Sequence, residues 1–118
     1  MSFAITLFDV TFGQPHWVMW DIPGSATGLP AAIEEGTATP SVPPGSRQAS
    51  ATFAPAVGYF GPQAPCNVFQ FEVYALSIAK FEPEEPELAA LVRTELQELG
   101  PEVLARATIT ARTNYECE

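Results

Sequence analysis

The sequence predicts a mainly β domain with one amphipathic helix toward its C-terminus, and three observations carry that reading. Apolar side chains alternate with period two over residues 2–10 and again over 67–76, and both stretches are rich in aromatic and β-branched residues. Leu88, Leu91, Val92, Leu96 and Leu99 instead recur at the spacing of one helix face, which predicts a helix over 87–99. Twelve prolines and eight glycines fall mostly between these stretches, where turns belong. At 118 residues the chain is expected to form one domain, residues 1–118, with room for one core.

Residues 2–10 form the first expected strand. Phe3, Ile5, Leu7 and Asp9 share one face, and Ala4, Thr6, Phe8 and Val10 share the other. Both faces are largely apolar, so the strand belongs inside a sheet rather than at its edge. Residues 16–23 are the second strand, closed by Pro23-Gly24, and strict alternation puts His16, Val18, Trp20 and Ile22 on one face. Residues 24–56 are dominated by Gly, Pro, Ser, Thr and Ala, with Leu29, Ile33, Val42 and Phe53 as the large apolar side chains. They read as a long loop region with an extended proline-rich piece at 40–45. Arg47, the one base before Lys80, is expected to be solvated there.

A turn-rich loop over 58–65 feeds the next strand, 67–76, which is expected to be central. Asn67, Phe69, Phe71, Val73 and Ala75 lie on one face, and Val68, Gln70, Glu72, Tyr74 and Leu76 on the other. Pro86 suits the first turn of the helix, acids gather near its start, and Gly100-Pro101 stops it. Glu84, Glu85, Glu87, Glu95 and Glu98 read as a solvated face. Residues 102–105 suggest one further helical turn before a last strand over 107–114.

Composition narrows the function classes. Fourteen acids against five bases give a formal net charge of −9, which opposes binding to nucleic acid or anionic membranes. No segment reaches the length of a membrane span, and residues 1–5 carry neither a basic region nor a cleavage site. A cytoplasmic protein with Cys66 and Cys117 reduced is therefore expected. One His and two isolated Cys do not make a metal-ligand set, and no cofactor is expected.

Several segments resemble the phosphatidylethanolamine-binding protein (PEBP) family, in particular its small bacterial branch related to the Raf kinase inhibitor protein. Gly58, Tyr59, Gly61, Pro62 and Pro65 match that branch's Gly-Tyr-x-Gly-Pro-x-x-Pro, and Phe69, Phe71, Tyr74, Ala75 and Leu76 match the strand after it. Ser2, Phe3, Ala4 and Asp9 match the family's opening strand motif, and His16-Trp17-Val18 with Ile22-Pro23 match its His-Trp-Val-x-x-Asn-Ile-Pro. The run from Leu104 to Thr110 follows the branch's C-terminal strand. There are departures. Asn67 and Glu102 stand where the branch has histidines, and Thr11 stands where it has a second carboxylate. Members also carry further strands before the Ser-Phe-Ala strand, so the resemblance implies an antiparallel β-sandwich or sheet lacking those strands, with an exposed edge.

The resemblance implies a small pocket for phosphate- or head-group-like ligands. Its residues here would be Asp9, His16, Tyr59, Gly61, Pro62 and Asn67, with Glu102 nearby. His16 would donate to an anion, Asp9 would orient His16 or bind a ligand amine, Tyr59 would wall the site, and the Gly61-Pro62 turn would present backbone N–H groups. From the residues alone, His16 reads first as a histidine satisfied by a nearby backbone group, and Asn67 as a strand-end turn residue; the resemblance reverses the preference for His16. Asn67 cannot carry the histidine's positive charge, and Glu102 would repel an anion, so anion binding is expected to be weakened. The reading is a non-catalytic small-ligand or regulatory binding protein. The alternative is a protein-interaction or inhibitor module, acting on a kinase or protease or pairing with itself through the exposed edge. Catalysis is not expected, because Cys66 is the one plausible nucleophile and nothing basic adjoins it.

Overall fold

The computed structural model describes residues 1–52, 54, 56–59, 61–62 and 66–113. Phe53, Phe60, Pro65, Asn114 and Cys117, which the sequence reading used, lie outside the described residues. Five strands form one antiparallel sheet: β1 (Ser2–Asp9), β2 (Gln14–Pro23), β3 (Arg47–Ser50), β4 (Val68–Leu76) and β5 (Val103–Arg112). Their order across the sheet is β3-β2-β1-β4-β5. One helix, α1 (Ala89–Gln97), and a 3-10 turn (Gly100–Glu102) lie between β4 and β5 in the chain. The fold is mainly β with one C-terminal helix, as the alternation and the leucine spacing predict.

The register makes the two faces explicit. Across the sheet Phe3 meets Ala75 and then Ala105, Ile5 meets Val73 and then Ala107, Leu7 meets Phe71 and then Ile109, and Asp9 meets Phe69 and then Ala111. Directly opposed residues share a face, so these four rows form one nearly continuous apolar surface. The other face carries Ala4, Thr6, Glu72 and Tyr74 and receives α1. Val92 and Leu96 of the helix pack there with Val18, Trp20, Tyr74, Leu76 and Phe81. β1, expected inside the sheet, is its middle strand. β4 is interior but one place from the edge.

Four expectations need correction. β2 does not alternate strictly, because its pairing with β1 is irregular at two points. Leu7 pairs with Trp17 and Phe8 with Pro15, so His16 is the extra residue of a bulge. Phe3 pairs with Ile22 and Ile5 with Met19, and in that second irregularity Asp21 sits at φ +56°. A bulge reverses the facing of the residues beyond it. Val18 and Trp20 therefore pack under α1, while Trp17, Met19 and Ile22 pack on the opposite face.

The region 24–56 is not all loop. Residues 47–50 form β3, an edge strand on β2, and Arg47 places its guanidinium 5.3 Å from the Trp20 ring rather than in open solvent. The helix begins at Ala89, not at residue 87, because Leu88 is extended and makes a parallel bridge with Ser50. Pro86 and the acids thus precede the first turn. Finally, residues 103–105 are strand, not helix, since β4 offers them partners as far as Leu76. A few residues of marginal helical pattern yield to a ladder.

The charged side chains under α1 are organised around Glu72, which is fully buried. It accepts hydrogen bonds from the Thr6 hydroxyl at 2.9 Å and from Arg93 Nε at 3.0 Å, and it pairs with Arg106. Arg93 comes from α1 and also lies 3.7 Å from the centre of the Phe8 ring. One carboxylate thereby ties the helix to β1, β4 and β5. Among the described residues no helix is long and apolar enough to cross a membrane.

Candidate functional site

Asp9, His16 and Asn67 come together at one end of β1, β2 and β4. None exposes more than 6% of its surface. Asp9 Oδ2 accepts a hydrogen bond from Asn67 Nδ2 at 3.1 Å, and Oδ1 accepts the Phe12 backbone N–H at 3.1 Å. The carboxylate therefore closes the turn after β1 and fixes the side chain at the head of β4. His16 reaches the same place because of the bulge, and its ring meets Phe69 edge-on at 5.2 Å. Phe69 stands opposite Asp9 in the register.

The backbone around Asn67 is equally well held. Thr113 donates its N–H to the Asn67 carbonyl at 3.0 Å, and its hydroxyl accepts the Asn67 N–H at 3.2 Å. Thr11 accepts the Val68 N–H at 2.7 Å, which ties the turn after β1 to the start of β4. Cys66 is disulfide-bonded, contrary to the expectation of reduced thiols. Cys117, the chain's other cysteine, lies outside the described residues.

Tyr59 stands on the neighbouring loop, 40% exposed, with its ring edge-on to Trp17 at 5.4 Å. Burial holds its phenol above the usual tyrosine value. A Cβ on Gly61 would come within 3.2 Å of the Tyr59 ring, so Gly61 leaves the ring room to pack. Half-buried Pro62 is next in the chain. The loop is pinned by Ser50, whose hydroxyl accepts the Gly58 N–H at 2.7 Å and donates to the Gly58 carbonyl at 2.6 Å. Beside Tyr59 lies a cavity of about 430 Å³ lined by Ile5, Trp17, Leu29, Ile33, Glu35 and Phe71, among others.

Two residues that sequence reasoning missed support this end of the sheet, Gln48 and Ser50. Gln48 Oε1 accepts the Trp17 indole N–H at 2.9 Å, and its amide donates to the carbonyls of Glu34 and Thr37 at 2.7 and 2.8 Å. It holds the loop that walls the cavity. The signal available was slight: two polar residues in a segment with no apolar alternation.

Glu102 does not join the site. It sits in the 3-10 turn before β5, where its carbonyl accepts the Ser77 N–H, and it lines a different cavity with Glu82, Glu95 and Glu98. The antiparallel register decides this: β5 starts opposite Leu76, whereas Asp9 stands opposite Phe69 at the far end of β4. Seven residues of strand separate the two ends, roughly 23 Å. The repelling carboxylate expected near the ligand is thus absent, although Glu35 contributes another at the cavity wall. Among the described residues, no group of three or more His, Cys, Asp or Glu is placed to hold a metal ion.

The family model described as phosphatidylethanolamine-binding protein matches residues 1–114. The chain belongs to that family. Among solved structures it is similar to E. coli YbcL, described as a new member of the mammalian PEBP family, with a TM-score of 0.68 and 28% sequence identity. That similarity covers 96% of this chain and 71% of YbcL. No curated protein matches it. Within this family member, Asn67 binds Asp9 directly.

Removing that link should be felt. Asp9→Ala leaves the buried Asn67 amide and the Phe12 N–H without their acceptor. We expect a loss of about 2 kcal/mol in denaturant unfolding, the scale of an unsatisfied buried polar group. An unchanged midpoint would show that water replaces the carboxylate at no cost.

Proposed function

We propose that this PEBP-family chain is a non-catalytic, small-ligand-binding or regulatory protein whose site takes phosphate- or head-group-like ligands weakly. The observation that supports this is the buried cluster of Asp9, His16 and Asn67 at the end of a sheet face on which Trp17, the next residue after His16, lines a cavity with Tyr59. His16 is the donor for a ligand oxygen, and Glu35 at the cavity wall favours a ligand that also carries an amine. A zwitterion such as phosphoethanolamine satisfies both demands better than phosphate alone. Cys66, the one plausible nucleophile, has no basic residue next to it in the chain, which favours binding over catalysis.

The test is an NMR titration of the full chain with phosphate, phosphoethanolamine and a choline-like cation. Phosphoethanolamine is expected to move the resonances of His16, Trp17 and Tyr59 saturably. His16→Ala should weaken it about tenfold, the worth of one charge-assisted hydrogen bond. A folded protein that responds to none of the three would end this reading.

Cytoplasmic placement belongs to the same proposal, and it makes a separate demand. Disulfides persist in oxidising compartments and are reduced in the cytosol. Rapid alkylation of cells followed by intact-mass measurement should therefore find both cysteines labelled. An unlabelled, oxidised chain would place the protein in an oxidising compartment.

A further inference from the structure

β5 is a sheet edge with almost no cover. Among the described residues it pairs only with β4, and nine of its ten residues are exposed. From Ala105 to Arg112 it runs opposite Ala75 to Val68 for eight residues without a register shift. No proline lies in that segment either, so two features that commonly blunt an edge are missing. The other edge differs: β3 has four residues, and Ser50 at its end bridges to Leu88. The open backbone groups of β5 suit an extended peptide that adds a sixth strand.

We propose that β5 docks an acidic, extended peptide segment of another protein. Charge selects that partner. The chain as a whole carries −9, yet β5 holds two bases, Arg106 and Arg112, and no acid. The one acid on β4 is Glu72, which is fully buried and already paired with Arg93 and Arg106. Arg106 keeps 46% of its side chain exposed in that pairing, and its guanidinium is steadied 5.4 Å from the centre of the Tyr74 ring. Arg112 is exposed and forms no ion pair among the described residues. A strand bearing carboxylates is attracted to this edge, whereas a second basic strand is repelled.

The register gives the partner its pattern. Arg106, Thr108, Thr110 and Arg112 stand opposite Tyr74, Glu72, Gln70 and Val68, and so share the face that receives α1. Ala107, Ile109 and Ala111 share the other face, where the apolar rows end. A strand laid antiparallel, as every pair in this sheet is, meets both faces at once. Its two carboxylates fall six residues apart, opposite Arg112 and Arg106. Hydroxyls lie between them on that face, and apolar side chains alternate with them on the other. The heptapeptide Glu-Val-Thr-Val-Thr-Val-Glu has this pattern.

Fluorescence anisotropy of that peptide, amidated and labelled, titrated with the full chain reads the contact. Saturable binding is expected, with a dissociation constant on the order of 100 µM, since a short strand must be ordered as it binds. Lysine in place of both glutamates should weaken it at least about tenfold by setting like charges against Arg106 and Arg112. Proline in place of the central valine should do the same, because it removes a ladder donor. Arg112→Glu should weaken the original peptide to a similar degree, and a peptide with lysine in its first position should bind that variant instead. The far-UV spectrum of the variant should be unchanged, since the position is exposed. Sedimentation velocity over the same concentrations should find a monomer. A folded chain that does not bind the first peptide would overturn the proposal. So would equal binding of the lysine or proline peptide, no recovery by the lysine-first peptide, or a dimer that excludes the peptide and so puts a second copy on the strand.

Discussion

Replacing Glu72 with glutamine is expected to destabilise the fold by about 3 kcal/mol, the lower end for breaking a buried ion pair from one side. The carboxylate is fully buried and holds Arg93 of α1, Arg106 of β5 and the Thr6 hydroxyl of β1. A neutral amide leaves two guanidinium groups without a counter-charge. Arg93 is mostly buried and bears the larger penalty, while Arg106 is nearly half exposed and is partly served by water. On that basis Arg106→Gln should cost about 1 kcal/mol. The loss for Glu72→Gln should appear as a melting temperature lower by about 10 °C.

The same residue gives a pH dependence whose sign is set by its surroundings. Burial by itself would raise the Glu72 pKa, but the Thr6 hydroxyl and the Arg93 and Arg106 charges together outweigh it and hold it below the ordinary glutamate value. A depressed folded pKa stabilises the native state above the unfolded value, and that contribution is lost as pH falls through the folded pKa. Wild-type stability should therefore decline on acidification below the ordinary glutamate range. Glu72→Gln lacks this titration, so the gap between the two proteins should close in acid. A gap constant with pH would mean that the Glu72 pKa is the same in the folded and unfolded states.

Gln48→Leu should cost nearly as much, about 3 kcal/mol, from buried polar groups left unpaired at roughly 1–3 kcal/mol each. The substitution keeps the volume, so little of the effect can come from a cavity. What is lost is the acceptor for the buried Trp17 indole N–H and the donors for the Glu34 and Thr37 carbonyls. Because that loop also walls the cavity beside Tyr59, amide exchange should quicken over residues 34–38 and ligand affinity should fall with it. Destabilisation with unchanged exchange there would confine the role of Gln48 to Trp17.

How much of the candidate site was legible varies by residue. Asp9 and Asn67 were found on the right face because β1 and β4 alternate without interruption, and their register sets Asp9 opposite Phe69. His16 was chosen by its motif, while strict alternation gave it the wrong face. A bulge is a property of two strands together, and β2 alone carries no mark of where β1 will drop a residue. Glu102 matched a motif position yet lies at the other end of the sheet, since only the β4–β5 pairing fixes where β5 begins.

By itself the sequence determined the strand and helix periods, the faces of β1 and β4, the family and the acidic balance. These depend on local spacing and composition, which one chain displays in full. Tertiary structure alone decided the two bulges in β2, the recruitment of residues 47–50 as an edge strand, and the burial of Glu72 between two arginines. It also decided that β5 stands open on both faces. Each of these depends on which segments lie side by side, and pairing is settled by the summed hydrogen bonds and buried area of the whole sheet rather than by any one stretch.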